Sequence, residues 1–74
     1  MTTLNKSEKE QLIDARFRQL EYRKYGLELD LIVENAKTTP DTSAVDVIET
    51  AIAEIDTQIA ALNTELTAVK ALAE

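Results

Sequence analysis

Apolar residues recur along the second half of the chain at alternating spacings of three and four: Val45, Ile48, Ile52, Ile55, Ile59, Leu62, Leu66, Val69 and Ala73. An α-helix turns through about 100° per residue, so this spacing gathers them on one stripe. The stripe has no polar interruption, and its branched aliphatic residues are those with which a heptad seam packs against another helix. Glu49, Asp56, Asn63 and Lys70 flank it on one side, and Ala, Thr and Glu fill much of the opposite face.

The first half repeats the pattern with Ile13, Phe17, Leu20, Lys24, Leu27, Leu31 and Glu34. If the chain reverses near residue 41, Ile13 falls opposite Val69, Phe17 opposite Leu66, Leu20 opposite Leu62 and Lys24 opposite Ile59. Leu27 then faces Ile55, Leu31 faces Ile52 and Glu34 faces Ile48. The two seams thus carry matching layers, which a short loop can join antiparallel. A slip of half a heptad satisfies the same spacing, so periodicity alone leaves the layers open.

Punctuation marks the ends. Ser7-Glu8-Lys9-Glu10 has the form of a capping box, in which the serine takes an orphan backbone N–H and the second glutamate reaches back to the cap. Pro40 biases Thr39 away from helical angles, and Lys37 suits a C-terminal turn. The second helix starts within Pro40 to Ser43, either with Thr39 as cap and Pro40 in first position, or with Ser43 as cap and Asp46 three residues on. Asp46 and Glu49 near its start and Lys70 near its end complement the helix dipole. The expectation is a single all-α domain over residues 1–74, an antiparallel, coiled-coil-like two-helix hairpin, with helices over about 7–37 and 43–73 and a loop over about 38–42.

One local pattern competes. Residues from Gly26 to Leu31 alternate apolar and polar with period two, as a half-buried strand would. Leu, Glu and Asp are poor strand formers, however, and only Val45 to Ile48 could pair with such a strand. Read as helix, the same residues extend a second stripe on the first helix: Ala15, Arg18, Tyr22, Tyr25, Leu29, Ile32 and Ala36. It lies roughly 150° around the helix from the first stripe. A helix apolar on two sides needs two partners, and the second helix can cover only one.

Size and charge sharpen that need. A chain of 74 residues is marginal as an isolated domain unless it is stapled or associates. Cysteine and histidine are both absent, which removes disulfides, thiolate and imidazole metal sites, and the commonest general base. The net charge of −6 falls on one half of the chain. Residues 1–40 hold seven Lys and Arg against seven acids, whereas residues 41–74 hold seven acids against Lys70 alone. A polyanionic partner would be repelled by that second half. No apolar run reaches the roughly 18 residues of a membrane span, and the N-terminus lacks a signal-peptide core, so a cytoplasmic protein with no membrane association is expected.

Candidate chemistry is sparse. Arg16-Phe17-Arg18 and Tyr22-Arg23-Lys24-Tyr25 interleave basic and aromatic residues, as single-strand nucleic-acid binders do, but Asp14 and Glu21 sit among them and the chain is acidic. Lys24 in the seam reads as a stem lying on the seam with its ammonium reaching Glu28 or Asp56, or as a polar device that fixes register. Glu34, near the hairpin end, is placed to reach solvent or Lys37. It is the only carboxylate on the first helix's seam, and no ligand spacing suggests an all-oxygen cation site. Gly26 costs about 1 kcal/mol relative to alanine inside a helix and reads as a bend or a close helix approach.

These readings lead to a protein without catalytic residues, metal or cofactor. Arg18, Tyr22, Tyr25, Leu29, Ile32 and Ala36 form its expected partner interface. The favoured occupant is a second copy, giving a homo-oligomer, a dimer first, built as a four-helix bundle. The alternatives are an adaptor or chaperone-like protein that takes a helix of another protein on the same stripe, and a weak nucleic-acid binder through the Arg/Lys/Tyr segment. Tyrosine suits an interface because it buries a large ring and keeps its hydroxyl wet.

Overall fold

The computed structural model describes residues 3–73. It contains two helices, α1 (Lys6–Asn35) and α2 (Thr42–Lys70), and no strand among the described residues. The alternating segment from Gly26 to Leu31 lies wholly within α1, so helical period prevails over the strand reading. The two helices pack side by side along their length in a body of 56 × 20 × 15 Å. That cross-section admits no third layer.

Both helices begin close to where the sequence signals placed them, α2 within Pro40 to Ser43, but each is capped by a different residue. Asn5, not Ser7, caps α1: its Oδ1 accepts the Glu8 N–H at 2.8 Å, and Glu8 Oε1 accepts the Asn5 N–H at 3.2 Å. This is the same capping box two residues earlier, and an asparagine cap is at least as good as a serine one. α2 is capped by Asp41, whose carboxylate accepts the N–H groups of Ser43 and Ala44 at 2.9 and 3.3 Å. Neither Thr39 nor Ser43 serves, and Pro40 lies outside the helix. The anionic cap supplies the charge at the positive end of the dipole, since the first turn of α2 has no acid of its own. Lys37 lies beyond the end of α1, whose last turn carries no basic residue. α2 closes at Lys70, which leaves Ala73 outside the helix and exposed.

The seam runs as its spacing implied. Every seam residue from Ile13 to Glu34 on α1 and from Val45 to Val69 on α2 is buried or half-buried. Register follows from which residues share a groove: Ile13 with Val69, Phe17 with Leu66, and Leu20 with Leu62. Ile55, at the centre, keeps only 3% of its surface accessible. Two helices nevertheless make a thin core. Ile13, Ile55 and Val69 are the only buried apolar residues among those described, and the accessible surface is 5678 Å² against roughly 4500 Å² for a compact monomer of this mass.

Polar ties fix the ends and the middle. Lys24 crosses from α1 to Asp56 on α2 at 2.7 Å, which resolves the choice between Glu28 and Asp56 as its partner. Near the turn, the buried Glu34 carboxylate pairs with Lys37 Nζ at 3.0 Å and accepts the Asp41 N–H at 3.3 Å. At the open end Lys6 Nζ donates to the Leu72 carbonyl at 3.3 Å. It satisfies a carbonyl just past the end of α2 that the helix itself does not reach.

Candidate interaction surface

The expected interface residues come together on the side of α1 turned away from α2. Ala15, Arg18, Tyr22, Tyr25, Leu29, Ile32 and Ala36 are all exposed. The four large apolar members keep between 44% and 72% of their surface accessible. They follow one another at one-turn intervals because the helix repeats every 3.6 residues, so the strip is contiguous rather than scattered. Arg18, Glu21, Tyr22 and Tyr25 line a shallow cleft at its N-terminal half.

Val33 belongs with this surface, although it falls outside the three–four spacing. It is exposed, sits about 40° around the helix from Leu29, and widens the strip at its C-terminal end. The uninterrupted run Leu31-Ile32-Val33 is the signal that could have revealed it: three consecutive apolar residues cannot all face one partner.

Arg18 is tied into the strip. Its guanidinium is held above its ordinary value first by hydrogen bonding to Tyr22, then by the charges of Tyr22 and Asp14. Both residues line the same shallow cleft, so the cation lies beside the tyrosine one turn on. On one edge of the strip stand Asp14, Glu21 and Glu28; on the other stand Gln19, Gly26 and Val33, none of them charged.

The remaining basic residues of this segment go elsewhere. Arg16 and Arg23 line the groove between the helices with Gln58, Ala61 and Leu62. Lys24 is committed to Asp56, whose hydrogen bond raises its pKa above the ordinary value against a smaller opposing effect of burial. The four cations thus point three ways and form no single basic patch. Among the described residues no cluster of three or more acidic side chains is placed to hold a metal ion. Nor is any described helix long and apolar enough to cross a membrane.

No protein-family model, curated protein or solved structure matches the chain.

Proposed function

We propose that this protein is a non-catalytic assembly module that associates with a second copy of itself through the outer face of α1. The observation that carries the reading is the contrast across that helix. One face is closed by α2, while Tyr22, Tyr25, Leu29 and Ile32 stand together on the other with nothing of the hairpin over them. Full burial of each would contribute roughly 1.5–3 kcal/mol before ordering costs.

Area and charge support a second copy as the occupant. The surplus of accessible surface over a compact monomer, about 1200 Å², is more than the ~800 Å² per partner that a standard interface removes. The α1 half of the sequence is neutral and the α2 half carries the whole net charge of −6. Contact through α1 keeps the two acidic helices on the outside of a four-helix bundle, whereas contact through α2 would press them together. A second reading draws on Asp14, Glu21 and Glu28 along one edge of the strip: a basic amphipathic helix of another protein would meet both the apolar face and these acids.

Light scattering separates the two. The wild type is expected to have twice the monomer mass at micromolar concentration, and Leu29→Asp to be monomeric with an unchanged helical spectrum, losing roughly 2–4 kcal/mol of association. A wild type that stays monomeric at high concentration would defeat the self-association reading and leave the foreign helix as occupant.

A further inference from the structure

Gly26 is a residue for which the hairpin itself gives no reason. A glycine inside a helix weakens it relative to alanine, because the unfolded chain has more freedom to lose. Its backbone has no positive φ, so the conformation does not require it. A Cβ at this position would meet nothing within 4 Å, so packing within the chain does not require it either. Gly26 lies about 40° around α1 from Tyr22 and about 60° from Leu29, which sets it on the uncharged edge of the strip. It also falls near the middle of the strip's length, between Ala15 and Ala36.

We infer that a second copy of this chain docks antiparallel on the outer face of α1, with the two α1 helices crossing at Gly26. This rests on the self-association proposed above and specifies its geometry. A crossing at this level sets Tyr25 against the partner's Leu29, Tyr22 against the partner's Ile32 and Arg18 against the partner's Ala36. Each aromatic ring then packs on an aliphatic side chain. Each Arg18 reaches the C-terminal end of the partner's α1, the negative end of its dipole. That end has no cation of its own in its last turn, and Lys37 just beyond it is engaged by Glu34.

The parallel alternative places like on like. Residues at matching seam positions then face their own copies across the axis, so Arg18 would meet Arg18 one turn before Tyr22 on the apolar strip. The antiparallel arrangement has one electrostatic cost, the approach of Glu28 to the partner's Glu28 near the axis. Lys24, one turn before it on the same helix, offsets this in part. At the crossing itself the missing side chain of Gly26 lets the two backbones approach closely on the strip's uncharged edge.

The absence of cysteine makes single-cysteine variants clean reporters of orientation. Gln19 and Val33 are both exposed and lie on the same edge as Gly26. In the antiparallel crossing residue 19 of one copy lies opposite residue 33 of the other. Mixing Gln19→Cys with Val33→Cys under mild oxidation should give disulfide-linked heterodimers, while either variant alone stays largely unlinked. Gly26→Ala should raise the melting temperature of the hairpin at dilutions where it is monomeric, yet weaken association at least tenfold. Efficient self-linking of either variant alone would overturn the inference, as would an unlinked mixture of a protein that is dimeric by mass. Association of Gly26→Ala that is unchanged or tighter would overturn the crossing point. A monomeric wild type defeats self-association itself, whereas a dimer failing these tests defeats only the geometry.

Discussion

The two helices of this hairpin are almost equal in length, at 30 and 29 residues, yet they turn unlike backs to solvent. Behind its seam, α2 presents Ala53, Thr57, Ala60, Thr64 and Thr67. The three threonine hydroxyls donate to carbonyls of their own helix one turn earlier, at 3.0–3.2 Å. That face is small, internally satisfied and indifferent to burial. Behind its seam, α1 presents two tyrosines, a leucine and an isoleucine. Because its apolar residues stand on nearly opposite sides, α1 is hardly amphipathic as a whole, while α2 is plainly so. A weakly one-sided helix in a two-helix protein is therefore a helix with two partners to find.

The comparison fails most visibly if the seam and the strip respond alike. Ile55→Asp places a carboxylate at the most buried position of the hairpin, and a charge there without a partner should cost more than about 4 kcal/mol. The helical circular-dichroism signal should be lost, in contrast to Leu29→Asp, which alters mass and leaves the signal intact. If both variants unfold the chain, the two faces of α1 are not independent.

Smaller effects test the ends and the middle. Asp41→Ala removes the cap of α2 and should lower stability by about 1 kcal/mol in a denaturant melt. Lys24 gives a pH signature. Its folded pKa lies above the ordinary 10.5, chiefly because of the hydrogen bond from its ammonium to Asp56. A group raised on folding contributes stability below its unfolded pKa and loses that contribution as pH rises through the folded value. Melts at increasing pH above 10.5 should show a small extra loss in the wild type that is missing in Asp56→Asn. The effect is small because the pair is largely open to water.

Much of this was legible in the sequence because periodicity is a global signal and capping is a local one. Nine residues at three–four spacing cannot sit on a strand, and the matching layer counts of the two seams call for a turn near residue 41. The pairing of Ile13 with Val69, which a half-heptad slip left open, is settled only by the packed helices. The caps were harder. Asn5 and Ser7 each precede a glutamate by three residues, and the choice between two valid boxes depends on where the chain enters the helix. At the turn, Thr39, Asp41 and Ser43 are all good capping residues within five positions. Asp41 prevails because Pro40 fixes the backbone just before it and its carboxylate reaches two N–H groups. The strip's exposure followed from geometry, since a residue opposite a seam cannot also lie in it. Val33 escaped because it breaks the spacing while sharing the surface.

One consequence of Glu34 concerns connectivity. Nothing in the paired layers distinguishes α2 of the same chain from α2 of another, because Ile13 can face Val69 either way. Only the six residues between Asn35 and Thr42 make that choice. Straightening them would let two chains trade their second helices with every layer preserved, the usual route to domain-swapped dimers. Glu34 opposes this from inside the turn. Its buried carboxylate grips Lys37 and the Asp41 backbone together, so opening the hinge must first strip a buried anion of its bond to the Asp41 N–H. Pro40 adds a second obstacle, having no N–H to give a continuous helix. A carboxylate at the end of the seam thereby ties the two sides of the turn to each other within the chain.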